Sequence, residues 1–128
     1  MDDRTRFANG MSVRREVLGD AYVDRAVADG FSAEFQDFLT RYAWGEVWAR
    51  PGLDRRTRSV ITLSVLATLR YEDEFCTHVE AALRNGLSRE EIAEVLLQVA
   101  VYAGVPAANR AFHLASRVLP DDVRETAG

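Results

Sequence analysis

Two stretches of this chain are apolar on every side, and they limit the folds open to it. Val60, Ile61, Leu63, Val65, Leu66 and Leu69 cover most of one segment. Ile92, Val95, Leu96, Leu97, Val99, Val101 and Tyr102 do the same on another. Neither alternates as a half-buried strand would, and both sit between helix start and stop signals, so both read as helices. A helix apolar all round must be covered all round. Either the other helices wrap these two, or part of their surface meets a second subunit.

The punctuation sets the rest. Val13 to Val27 reads as a helix interrupted near Gly19-Asp20, with Asp29-Gly30 as its break. Ser32 is the expected cap of a helix through about Ala49, ended by Arg50-Pro51-Gly52. Asp54 caps the next, about Arg55 to Leu69, and Glu74 to Arg84 follows, with Asn85-Gly86 as its stop. Ser88-Arg89-Glu90-Glu91 fits a capping box opening a helix to about Ala103. Gly104 ends it, and Pro106 suits the first turn of a last helix to about Val118. The expectation is an all-α bundle of about six helices forming one domain over residues 1–128, with residues 1–10 and 121–128 as loose tails.

With 128 residues and 48% hydrophobic content the chain can bury a core. A net charge of -4 argues against nucleic acid or an anionic membrane as partner. No apolar run reaches the roughly 20 residues of a membrane span, and the polar start lacks a secretion signal, which points to the cytoplasm. Cys76 is the single cysteine, so an internal disulfide and a CxxC redox pair are both out of reach. His78 and His113 are far apart, and no zinc motif is present. All 16 basic residues are arginine. Schiff-base chemistry and pyridoxal phosphate anchoring need a lysine amine, so both are excluded. Planar forks that bind carboxylates are plentiful.

Two residues stand out. Phe35, Phe38, Leu39 and Tyr42 follow helical spacing, and Glu46 extends that stripe, within about 20° of Phe35 if each residue turns about 100°. Glu46 is then either a carboxylate on a core face, needing a partner, or a solvated group paired with Arg50. His78 lies between Phe75 and Ala82 on the face that also carries Val79, as a proton carrier or as a satisfied core histidine. His113 falls off its helix's stripe and reads as a surface or interface residue. Trp44 and Trp48, four apart, can pack together as a pocket or interface wall. Arg50, Arg55, Arg56 and Arg58 form either a solvated patch or an anion funnel.

Several blocks together resemble the gamma-carboxymuconolactone decarboxylase family. They are Arg14 to Asp20, Arg41-Tyr42-Ala43-Trp44-Gly45-Glu46-Val47-Trp48, Arg50 to Ser59, the single His78, Leu83 to Leu87, and Val101-Tyr102-Ala103-Gly104-Val105-Pro106. The resemblance runs from about Val13 to Val118. It implies an alkylhydroperoxidase D-like fold assembled as a ring-shaped homo-oligomer, a hexamer built as a trimer of dimers. It implies cofactor-independent decarboxylation of 4-carboxymuconolactone to 3-oxoadipate enol-lactone in protocatechuate catabolism, with a small carboxylated lactone as the partner and no metal.

It also implies catalytic roles for His78 and Glu46. Arg41, Arg50, Arg55 and Arg58 would bind the substrate's carboxylates, and Trp44, Trp48 and Tyr102 would wall the pocket. The peroxidase relatives carry a CxxC pair ahead of the histidine, and here those positions are Tyr71 and Glu74. Tyr71, Phe75, Cys76 and Thr77 depart from the more aliphatic approach of close relatives, and a glycine would be expected near Arg70. A related lactone as substrate, or a non-catalytic helical assembly, are the alternatives.

Overall fold

The computed structural model describes residues 1–121 and is all-helical, with no strand among the described residues. The order is α1 (Asp3–Leu18), α2 (Asp20–Ala28), a 3-10 turn at Gly30–Ser32, and α3 (Ala33–Leu39), which continues into a π-helical segment, Thr40–Trp48. Then come α4 (Arg55–Leu69), α5 (Glu72–Arg84), α6 (Arg89–Ala103) and α7 (Val105–Val118). The chain divides into two compact units, Met1–Arg58 and the residues from Ser59 onward. Among the described residues no helix is long and apolar enough to cross a membrane.

In the first unit α1 begins at Asp3, nine residues before the expected start near Ser12, so residues 3–10 are helix and not a loose tail. Asp2 caps it by accepting from the Thr5 amide at 2.8 Å. The rest of the expected tail, past Asp121, lies outside the described residues. What α1 buries is unusual: Gly10, Arg14, Val17 and Leu18, one face that includes a glycine and an arginine. A Cβ on Gly10 would stand 1.8 Å from the Thr40 carbonyl oxygen and 2.9 Å from the Gly45 nitrogen. A Cβ on Gly45 would stand 2.5 Å from the Arg6 carbonyl oxygen. Two glycines therefore let the backbones of α1 and the π segment touch.

Beside this crossing Arg14 is buried and donates to Thr40 Oγ1 at 3.2 Å and to Gln36 Oε1 at 2.6 Å. Burial lowers its pKa from the usual arginine value. The Thr40 hydroxyl donates to the Gln36 carbonyl at 2.8 Å, a back-bond that competes with regular α hydrogen bonding where the helix widens.

The helix after Ser32 departs from expectation in three ways. Ser32 makes no capping bond; Asp29 accepts from the Phe31 amide instead, at 3.2 Å. From Thr40 to Trp48 it is π-helical, so each residue turns less than the α value of about 100° and the projection of Glu46 onto Phe35 fails. The stripe of Phe35, Phe38 and Tyr42 faces outward, and Thr40, Trp44 and Gly45 are buried in its place.

The second unit is built largely as its local signals predict. The capping box closes on both sides: the Glu91 amide donates to Ser88 Oγ at 3.0 Å, and the Ser88 amide to Glu91 Oε1 at 2.9 Å. Gly86, at φ 97°, ends α5 while the Leu87 amide reaches the Ala82 carbonyl at 3.0 Å. Gly104, at φ 105°, separates α6 from α7. Leu63, Ala67, Phe75, Val79, Ala82, Leu87, Ile92, Leu96, Val99, Ala111, Leu114 and Ala115 form its core. The two apolar helices are only partly covered: Ile61, Val65 and Leu69 on α4, and Leu97, Val101 and Tyr102 on α6, stay exposed.

Arg70 ends α4 in the same way that Gly86 ends α5. The Tyr71 amide bonds the Leu66 carbonyl at 3.1 Å, and Arg70 between them has φ 61°. This is the left-handed position that glycine favours, which is where a glycine was expected. Arg70→Gly should raise the unfolding free energy by up to about 1 kcal/mol in urea denaturation. Gly10→Ala should lower it by about 2 kcal/mol or more, because its methyl meets rigid backbone and not a movable side chain.

Candidate functional site

Glu46 sits on the π segment, with its side chain 40% exposed. Its partner is Arg6, whose Nε donates to Glu46 Oε1, and not Arg50 as one reading of the sequence had it. Arg6 also donates Nη1 to Asp3 Oδ1 at 2.5 Å and Nη2 to the Met1 carbonyl at 3.1 Å. Its guanidinium carbon stands 5.7 Å from the Tyr42 ring centroid. The paired carboxylates raise the pKa of Arg6. Arg6 was not foreseen, because it lies 40 residues before Glu46 in a stretch without apolar periodicity. The available signals were Asp2 and Thr5 at capping spacing, with Gly10 beyond them.

Trp44 and Trp48 flank Glu46 in sequence and stack with ring centroids 5.1 Å apart at 23°. Trp44 is buried and Trp48 half-buried. The four expected arginines differ in what they already hold. Arg41 pairs with Asp37, and Arg55 with Glu16 at 2.5 Å. Arg58 donates to the Arg50 carbonyl at 3.3 Å, and the Arg50 side chain is exposed. Asp54 caps α4 by accepting from the Thr57 amide at 2.7 Å, which lowers its pKa.

In the second unit His78 lies on α5 among Phe75, Val79 and Ala82, all buried as the periodicity predicts. Burial pushes its pKa down to about 4, against a smaller opposing pull from Glu74. At neutral pH His78 is therefore a neutral imidazole, with one N–H to donate and one lone pair to accept. Burial also raises the Cys76 thiol above its ordinary value, which keeps it protonated and a weak nucleophile at neutral pH. Tyr102 is exposed and lines an open hollow of about 290 Å³ with Ser64, Thr68, Gln98, Val99 and Ala103. His113 is on the surface of α7.

The first unit thus sets Arg6 of α1 against Glu46 of the π segment, which also carries the tryptophan stack, and the second presents a desolvated imidazole. This donor and acceptor chemistry suits proton handling near a developing anion. The sequence matches the Carboxymuconolactone decarboxylase family over residues 33–117. The chain belongs to this family.

Among its relatives, a 4-carboxymuconolactone decarboxylase of Acinetobacter baylyi is 46% identical over 94% of this chain and 92% of its own length. A nitrosuccinic acid decarboxylase of Metarhizium robertsii is 38% identical over 94% of this chain and 85% of its own. A 4-carboxymuconolactone decarboxylase sequence of Pseudomonas putida is 50% identical over 36% of this chain. The family match spans both Glu46 and His78, while Arg6 lies before it.

The low pKa of His78 has a consequence for stability. The unfolded chain takes up this proton near 6.5, the folded chain only near 4. Between those values the unfolded state binds more protons, so this contribution to stability is complete above about 6.5 and falls as pH drops toward 4. Urea titrations from pH 7 to pH 4.5 should show wild type losing stability more steeply than His78→Gln, by the slope of about one proton.

Proposed function

We propose that this protein is a cofactor-independent carboxy-lyase that converts 4-carboxymuconolactone to 3-oxoadipate enol-lactone in protocatechuate breakdown, acting in the cytoplasm. The likeness that carries the reading is the Acinetobacter baylyi relative, matched at 46% over nearly the full length of both chains. In this substrate the departing carboxylate sits on the ring carbon beside the lactone oxygen, conjugated through a C=C bond to the lactone carbonyl. Breaking the C–C bond sends its electron pair through that double bond onto the carbonyl oxygen. CO2 leaves, and protonation of the carbon next to the carbonyl completes the product. The substrate supplies its own electron sink, so the protein must stabilise an oxyanion and deliver one proton.

The half-buried, neutral state of His78 favours the first task. A neutral imidazole is a weak acid but a good N–H donor, matched to an oxyanion in a dry setting. Glu46, half-exposed, suits the second as a relay from water to carbon. The exposed Arg50 suits the substrate carboxylates better than Arg41 and Arg55, which would have to release Asp37 and Glu16. Trp44, Trp48 and Tyr102 would limit water. The exposed apolar residues of α4 and α6 support contact with further subunits, and we take the assembly to be the ring that the family resemblance implies, a hexamer built as a trimer of dimers.

The nitrosuccinic acid decarboxylase relative favours a second reading in which the substrate is a nitro acid. The chemistry is parallel, since a nitro group also accepts the electron pair released with CO2. The altered Tyr71 to Thr77 segment near His78 is where the two substrates would be told apart.

The test is loss of the ultraviolet absorbance of 4-carboxymuconolactone on adding purified protein, with nitrosuccinate as comparison. Wild type should turn over the lactone equally well with and without chelator. His78→Gln should lower kcat by at least about 100-fold. Wild-type kcat in that variant would remove His78 from the mechanism.

A further inference from the structure

We propose that Arg6 is a positioning residue for the reaction: it fixes the Glu46 carboxylate by one oxygen and leaves the other toward the chemistry. The inference rests on the role proposed for Glu46 and concerns a residue that the family match, residues 33–117, does not reach.

A half-exposed glutamate has several rotamers of similar energy, and a proton relay needs one of them. Arg6 removes that freedom. Its Nε donates to Oε1 of Glu46 and its other two nitrogens are also engaged, by Asp3 and by the Met1 carbonyl. Its guanidinium plane stands near the Tyr42 ring. An arginine tied at three nitrogens and backed by a ring is a fixed fork and not a mobile surface charge. Its side chain is 18% exposed, against 40% for the carboxylate it holds. The cation is the anchored member of the pair, and the acid is the one that reaches water.

The backbone places this pair. Gly45 directly precedes Glu46, and a Cβ there would lie 2.5 Å from the Arg6 carbonyl oxygen and 3.0 Å from Arg6 Cγ. Gly10, one turn after Arg6, makes the matching approach to Thr40. The register that brings α1 against the π segment therefore sets Arg6 opposite Glu46. An incidental surface pair would have no such support.

The experiment compares wild type, Arg6→Gln, Arg6→Lys, Glu46→Gln and the double variant Arg6→Gln/Glu46→Gln in the lactone assay, with melting temperatures recorded in parallel. Arg6→Gln should lower kcat by about 10- to 100-fold, the scale of a lost supporting hydrogen bond, while KM stays within about 2-fold. Arg6→Lys should recover part of kcat, because it keeps the charge without the fork. The double variant should be no slower than Glu46→Gln alone, since Arg6 has nothing left to position.

Multiplied effects in the double variant, a change confined to KM, or wild-type kcat in Arg6→Gln would each overturn the inference while leaving the proposed reaction standing. Absence of turnover in wild type would instead overturn the proposed reaction, and the positioning role with it. If Arg6→Gln melts too early to assay, Arg6→Lys against Glu46→Gln carries the same comparison.

Discussion

In the first unit two backbones meet with no side chain between them. Gly10 and Gly45 remove the side chains that would hold α1 and the π segment apart, and Thr40 and Arg6 carbonyls take up the space. Close-packed backbones leave no room for lateral sliding, so the register between these helices is set in steps of a residue. Several features follow from that register: the burial of Arg14 against Gln36 and Thr40, the inward position of Trp44, and the pairing of Arg6 with Glu46. A crossing made of leucines would tolerate repacking; this one has almost nothing movable in it.

Charge and burial are used differently in the two units. In the first, a fixed cation holds a carboxylate that reaches solvent. In the second, an imidazole is taken out of water until its neutral form dominates. Desolvation makes His78 a poor store of protons and leaves its neutral ring one N–H to donate. The same desolvation keeps Cys76 as a thiol. With one cysteine in the chain, this thiol has no internal disulfide partner.

Local rules made much of the chain from Asp54 onward legible. The Ser88 box, the Asp54 cap, and the Gly86 and Gly104 stops depend on residues within a turn of each other, and each is found as read. His78 beside Phe75 and Val79 was legible for the same reason: α5 keeps the ordinary period. The first unit was harder to read because its buried face breaks the usual code. Hydrophobic periodicity cannot report a helix that buries a glycine and an arginine, so residues 3–10 looked like tail. It also misassigned Phe35, Phe38 and Tyr42, which are apolar and outside, over Thr40 and Gly45, which are inside. Of the candidate site, the setting of His78 was readable; that of Glu46 was not, because the π segment breaks the projection, nor was its partner Arg6, because an ion pair 40 residues apart leaves no local pattern.

The π segment has one more effect. Its i→i+5 bonding holds an extra residue per turn relative to an α-helix, in effect an insertion absorbed without a loop. Deleting a single residue between Thr40 and Trp48 could restore i→i+4 bonding and keep the segment helical. Yet the residues between the deletion and the end of the widened segment would each take a neighbour's angular place, about 100° round the axis. Trp48 would lose its place over Trp44, and the carboxylate would leave its guanidinium. In this stretch the length of the chain carries as much information as the identity of its residues.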